Sequence, residues 1–226
     1  MRGDRLHESF VHGICFHGIG TPRRALEPGE ERYWISVDAF HTILDAVVDV
    51  DGVRLSFDDG NASDVEVGLQ ALLERGLKAS FFVVAGRIGS PGSLDEDGLV
   101  ELARQGMLIG SHGMDHRPWR HLSPHDRERE LVHARERIAE IVGHPVVEAA
   151  LPTGAYDRRL LRDLRRLRYS AVHTSDRQAA KPGAWLQPRF SVVADDTGES
   201  VLGYIRRPSA IGRVGPAVRG LFKRIR

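Results

Sequence analysis

Short apolar runs alternate with longer segments of helical spacing along most of this chain. The runs over Ile14–His17, Val53–Phe57, Ala79–Val84, Met107–Ile109, Val146–Ala150, Ser170–His173 and, more weakly, Phe190–Val193 read as strands. Between them, helical spacing predicts helices over Val37–Val48, Ala62–Glu74, Asp95–Arg104, Pro124–Ile141 and Asp157–Arg166. Ser36 precedes the first, and Ser123-Pro124 opens the fourth with proline at its first helical position. Gly76 and Gly106 stand where helices should stop. Alternation of this kind predicts an α/β fold with a mostly parallel sheet and crossover helices. No internal repeat and no low-complexity linker interrupts it.

Two clusters of chemistry fall just after predicted strands, where the loops of parallel α/β folds converge into sites. Asp58 and Asp59, in Ser56-Phe57-Asp58-Asp59-Gly60, close a strongly apolar strand. His112 and His116, in Ser111-His112-Gly113-Met114-Asp115-His116, follow Met107–Ile109 at a spacing that can present two imidazoles on one side of a turn. Gly113 favours a tight loop there over a regular helix, with Ser111 available to cap it. His17 adds an imidazole near the N-terminus. Two imidazoles and one carboxylate are the usual set for a catalytic zinc with an open position, and one carboxylate and one imidazole remain for proton transfer. Each piece also has a plainer reading: Asp-Gly is common turn chemistry, a histidine pair can be solvated, and His17 can be a buried structural residue. His121, His125 and His133 lie on a charged stretch and read as solvated. Cys15 reads as a buried, inert thiol rather than half of a nucleophilic Cys/His pair, because no orienting Asn or Asp accompanies it.

With 226 residues the chain can form one large α/β domain or two small ones, and 41% hydrophobic with 28% charged residues fits a folded protein. The single cysteine excludes an intramolecular disulfide. No apolar run has the length of a membrane span, and the N-terminal residues lack the apolar stretch of a signal peptide, so a cytoplasmic location is the expectation. The net charge of +1 hides an asymmetry: residues 206–226 carry Arg206, Arg207, Arg213, Arg219, Lys223, Arg224 and Arg226 and no acid. The remainder is net negative, which disfavours a nucleic-acid partner. The basic tail interleaves Val218, Leu221, Phe222 and Ile225. It reads either as a solvated terminus or as a short amphipathic helix making peripheral contact with the inner membrane face.

Taken together, the clusters resemble the polysaccharide deacetylase family, the NodB-homology domain of carbohydrate esterase family 4. Phe57-Asp58-Asp59-Gly60 is similar to its first motif, T/S-F-D-D-G, and Ser111–His116 to its second, S-H-x-x-x-H. Leu151-Pro152-Thr153-Gly154-Ala155-Tyr156-Asp157 resembles the third-motif region, and Lys78–Val83 and Gly106–Gly110 also match. The resemblance covers about residues 12–195. Two departures stand out. Ala150 occupies the arginine position of the third motif, and the Leu-x-His motif near the C-terminus is absent. Phe16-His17-Gly18-Ile19 resembles the N-terminal histidine strand of circularly permuted members, often poly-N-acetylglucosamine deacetylases.

The resemblance implies a distorted (β/α) barrel over residues 1–205, followed by the tail at 206–226. It implies that Asp59, His112 and His116 bind a divalent metal, with Zn2+ first and Co2+, Ni2+ or Fe2+ as alternatives. Asp58 would be the general base and His17 the acid. Pro152, Thr153, Gly154 and Tyr156 would hold the oxyanion or substrate, and Arg189 would replace the missing arginine in orienting the base. The implied reaction removes N-acetyl groups from an amino-sugar glycan or its precursor. Two alternatives remain: a deformylase or amidase acting on a modified or lipid-linked sugar or a non-sugar amide, and an inactive glycan-binding domain. Trp119, Tyr156 and Trp185 are candidate sugar-stacking surfaces or core residues. Oligomeric state is not legible.

Overall fold

The computed structural model describes residues 10–206. Apart from Arg206, the basic tail lies outside the described residues. Seven parallel strands close into a barrel: β1 (His12–Phe16), β4 (Val53–Asp59), β5 (Ala79–Val83), β6 (Leu108–Ser111), β7 (Glu148–Ala150), β8 (Ala171–Thr174) and β9 (Leu186–Ser191). Closure comes from β9 pairing with β8 on one edge and β1 on the other, with Gly13 opposite Arg189 and Cys15 opposite Ser191. Two short strands outside the barrel, β2 (Gly18–Ile19) and β3 (Trp34–Ile35), pair with each other.

The helices wrap the outside: α1 (Val37–Val47), α2 (Gln70–Glu74), α3 (Glu96–Arg104), α4 (Pro124–Glu128), α5 (Ala134–Val142), α6 (Arg158–Arg166) and α7 (Gly198–Ile205). Ser36 and Ser123 cap their helices as expected, accepting from the N–H groups of Ala39 and Asp126. Two of the expected helices contain a widened π turn, over Asp64–Leu69 before α2 and over Arg129–His133 between α4 and α5. Such turns cluster at functional sites, and the second one bears directly on the loop described below.

A parallel strand in this architecture is buried on both faces. Toward the helices, Phe57 stacks on Phe81 at 4.6 Å and Phe16 meets Phe40 edge-on at 5.0 Å. A second apolar cluster, including Leu131, Tyr156, Leu160, Leu164 and Tyr169, lies under α6. Toward the lumen the chain places polar groups instead. Arg189 reaches Ser56 and Asp58 and lies 5.3 Å from the centre of the Phe82 ring, which packs on His173.

The structure redraws several sequence-based boundaries. β4 runs on through Asp58 and Asp59, so the paired carboxylates are its last residues rather than the start of a loop. β9 covers Leu186–Ser191 rather than Phe190–Val193, with Pro188 inside it, paired opposite Thr174. α7 was not expected, although Thr197 and Ser200 cap it reciprocally. Among the described residues, no helix is long and apolar enough to cross a membrane.

Candidate metal centre and catalytic site

The C-terminal ends of β4 and β6 bring Asp59, His112 and His116 together, with one ligand atom of each lying within 4.8 Å of the others. Successive side chains in a regular strand point to opposite faces. Asp59 departs from that rule with φ of 79°, a sparsely populated conformation for a non-glycine residue. The carboxylates of Asp58 and Asp59 therefore face the same imidazole: His112 Nε2 lies 4.0 Å from Asp58 Oδ2 and 3.6 Å from Asp59 Oδ1. His116 Nε2 lies 3.3 Å from the same Asp59 oxygen.

These residues fit a divalent cation. Asp59 Oδ1 is buried and has no hydrogen-bond partner, an expensive arrangement unless something else satisfies it. Both imidazoles use Nδ1 elsewhere, at 3.0 Å from the Ala150 carbonyl for His112 and 2.8 Å from Glu27 Oε2 for His116. Donation from Nδ1–H to an oxygen leaves the Nε2 lone pair aimed at Asp59, the tautomer that a metal requires. Burial first, opposed by the nearby carboxylates, lowers the pKa of His112 to about 4, so it is neutral at ordinary pH. Burial alone would raise Asp59, but the charge that His17, His116 and His112 carry when protonated, in the acidic range where a carboxyl titrates, opposes it and holds Asp59 below the usual carboxylate value.

The loop carrying both histidines is tightly specified. Gly113 has φ of 82°, and a Cβ there would lie 2.3 Å from Glu130 Oε2. Glu130, completely buried in the π turn before α5, accepts from the N–H groups of Met114 and Asp115 and from Trp119 Nε1. Ser111 Oγ accepts from Gly113 N–H, the capping expected of it. Neither Glu130 nor Glu27 was legible in the sequence. Each reaches its target from a distant segment, and Glu130 sits in a stretch whose charge pattern reads as a solvated face.

Asp58 is gripped by Arg189 through two hydrogen bonds of 2.7 Å, while Arg189 Nη1 also donates to Ser56 Oγ at 2.9 Å. Gly13 makes room for this arginine, since a Cβ there would lie 2.7 Å from its Cγ. Burial would raise the Asp58 pKa, but the guanidinium overrides it and holds the carboxyl well below the usual range. His17 follows β1, stacks on Tyr33 at 4.7 Å and brings a ring nitrogen within 4.8 Å of Asp58. Cys15 shares that neighbourhood, but burial pushes its thiol pKa well up, consistent with an inert residue.

The sequence profile of a family described as polysaccharide deacetylase matches residues 47–172. The chain belongs to the polysaccharide deacetylase family. YxkH of Bacillus subtilis (strain 168), named for the same family, is 25% identical over 155 residues, covering 68% of this chain and 56% of YxkH. The chain thus matches little more than half the length of that relative. The fold is that of the Streptococcus pyogenes deacetylase PplD, solved in complex with acetate, with a TM-score of 0.75 and 18% identity over 87% of this chain and 98% of that one. IcaB from Ammonifex degensii gives 0.70 and 22%, covering 87% and 97% respectively.

In this member of the family, most residues singled out from the sequence gather at one end of the barrel. Asp58, Asp59, His112 and Arg189 form one buried group, with half-buried His116 and His17 at its edge. The turn Pro152–Gly154 follows β7, next to Ala150, whose carbonyl orients His112. Thr153 is its exposed member and has φ of 57°. Tyr156 requires a correction: its ring is completely buried in the cluster under α6 and its hydroxyl donates to Asp176, so it offers a substrate no face. Trp119 is likewise core, and half-buried Trp185 already carries the Arg165 guanidinium 4.1 Å above its ring. His121, His125 and His133 are exposed, as expected.

Proposed function

We propose that this chain is a metal-dependent hydrolase that removes N-acetyl groups from an amino-sugar-containing glycan or glycan precursor. The observation that carries the reading is the meeting of the Asp59, His112 and His116 cluster with the Asp58–Arg189 pair at the same strand ends. A divalent cation held by Asp59, His112 and His116, with Zn2+ the first candidate and Co2+, Ni2+ or Fe2+ alternatives, would supply Lewis-acid polarisation of the acyl carbonyl and acidify the attacking water.

The protein's own groups do the rest. Asp58 takes the proton from the attacking water. Arg189 keeps that carboxylate ionised and aimed, at some cost in basicity, which an acidified water offsets. Pro152 has no N–H and Gly154 donates its own to the Leu151 carbonyl, which leaves the Thr153 N–H as this turn's donor to the developing oxyanion. His17 protonates the leaving nitrogen, because an amine departs poorly as an anion. A glycan-binding domain without turnover would not need two carboxylates buried beside a metal set, one of them held ionised by an arginine.

The test is acetate release from N-acetylated oligosaccharides by purified protein, with and without chelator. Release that chelation abolishes and Zn2+ restores is expected. Release unaffected by exhaustive chelation would contradict the metal, and no release from any N-acetylated sugar would contradict the substrate. We place the enzyme in the cytoplasm, with the basic tail either a solvated terminus or a peripheral contact to anionic lipid. If it is the contact, full-length protein co-sediments with anionic vesicles and a chain ending at Ile205 does not; equal behaviour leaves the solvated terminus.

A further inference from the structure

We propose that Glu27 is a positioning residue of the metal centre, fixing the His116 imidazole from a strap that ties the two ligand-bearing loops together. The proposal rests on the reading above that Asp59, His112 and His116 hold a cation.

The two histidines are oriented by different means. His112 donates to the Ala150 carbonyl, a backbone group fixed by β7. His116 depends on a side chain, Glu27, which is 89 residues away in sequence and lies in the connection between β2 and β3. A carboxylate can only accept, so Glu27 Oε2 at 2.8 Å places the proton of His116 on Nδ1 and the lone pair on Nε2, facing Asp59. Glu27 is 42% exposed at its side chain, so unless restrained it would hold the ring loosely.

The restraint comes from two sides. Arg87 engages the other carboxylate oxygen, Oε1. Arg87 itself sits in a turn clipped onto the histidine loop by backbone bonds, Ala85 N–H to the Gly113 carbonyl at 2.9 Å and Gly86 N–H to the Met114 carbonyl at 2.8 Å. At Gly86 a Cβ would lie 2.4 Å from the Met114 oxygen, so that approach needs a glycine. The Glu27 N–H in turn donates to Glu30 Oε2 at 2.8 Å. Glu30 is buried and paired with Arg24, and Arg24 donates to Asn61 Oδ1 at 3.0 and 3.1 Å. Asn61 stands two residues beyond Asp59. A continuous polar chain therefore runs from the Asp59 loop through Arg24, Glu30 and Glu27 to His116.

Partly exposed ion pairs contribute little to folding stability. The strap's value is instead expected in metal affinity, where loss of an outer partner typically costs about 10–100-fold. The experiment is competition for Zn2+ between a chromophoric chelator and the full chain, as wild type, Glu27→Gln and Glu27→Ala. Thermal unfolding of each metal-free protein is measured alongside. Glu27→Ala should bind Zn2+ at least about tenfold more weakly with little change in metal-free unfolding. Glu27→Gln, whose amide oxygen still accepts from Nδ1–H, should fall between. Deacetylation by Glu27→Ala should recover toward wild type at saturating Zn2+. Zn2+ affinity of Glu27→Ala within twofold of wild type overturns the proposal. If that variant does not fold, Glu27→Gln and Arg87→Met decide by the same competition, and unchanged affinity in both overturns it. Wild type that fails to bind Zn2+ removes the metal centre itself, an outcome distinct from an unaffected variant.

Discussion

Arg189 and Asp58 are 131 residues apart in sequence and meet in the barrel lumen through two hydrogen bonds of equal length, 2.7 Å. The pairing answers a deficit visible in the chain. Ala150 stands where the family's third motif carries arginine, and β9 supplies the cation from the far side of β1, two strands from Asp58. Breaking a buried pair from one side typically costs about 3–5 kcal/mol, because the remaining charge is left without a partner. Arg189→Met should therefore lower the unfolding temperature and raise the Asp58 pKa, since burial then acts unopposed. The acid limb of the deacetylation rate profile should move to higher pH. An unchanged acid limb would remove Asp58 from the base role or Arg189 from controlling it.

His17→Ala should keep its metal and lose amide hydrolysis by about 10²–10⁴-fold, the usual contribution of a positioned acid. Activated esters, whose leaving groups need less protonation, should lose much less. Equal losses on amides and esters would argue that His17 acts through packing on Tyr33 rather than proton transfer.

Gly113→Ala tests how strictly the histidine loop is specified. Alanine is strained at φ of 82°, and its Cβ would collide with Glu130 Oε2. The expected result is a loss of more than about 1 kcal/mol in stability, with Zn2+ content reduced because Glu130 can no longer hold the Met114 and Asp115 amides. Wild-type stability and metal content together would mean the loop relaxes freely.

Asp64 gives a prediction with a pH sign. It is completely buried, neither carboxylate oxygen has a hydrogen-bond partner, and burial, then the charge of Asp59, pushes its pKa well up. A carboxyl that stays protonated in the fold but ionises on unfolding makes stability fall as pH rises from about 4 through the raised folded value. Asp64→Asn removes that dependence. Urea unfolding should show the variant more stable than wild type at pH 8, with the difference vanishing near pH 4. Lower stability of the variant at pH 8 would show that Asp64 works as a carboxylate.

Much of this site could be read from the chain because its chemistry is local. Asp58-Asp59 and the His112/His116 spacing sit at the ends of apolar runs, and a parallel barrel delivers strand ends to one mouth. Arg189 was reachable because a missing cation had to be supplied from somewhere. Other features depend on contacts that no local pattern encodes. Pro188 concealed β9, whose pairing on both edges sustains a strand through a residue that lacks a donor. Glu130 looked solvated until the π turn carried it inward under Gly113. Glu27 lies in a polar connection with no periodicity, and only the folded chain puts it against His116. Tyr156 shared the third-motif neighbourhood but faces the core, since nearness in sequence to a site does not set a side chain's direction.

On the proposed reading, three separated stretches hold one cation, with a neighbouring carboxylate as base. Elemental analysis of purified wild type, Asp58→Asn and His112→Ala tests it most directly, with acetate release measured on the same samples. About one Zn2+ per chain is expected in wild type and in Asp58→Asn, little in His112→Ala, and turnover in wild type alone. Full metal content together with undiminished acetate release in His112→Ala would contradict it.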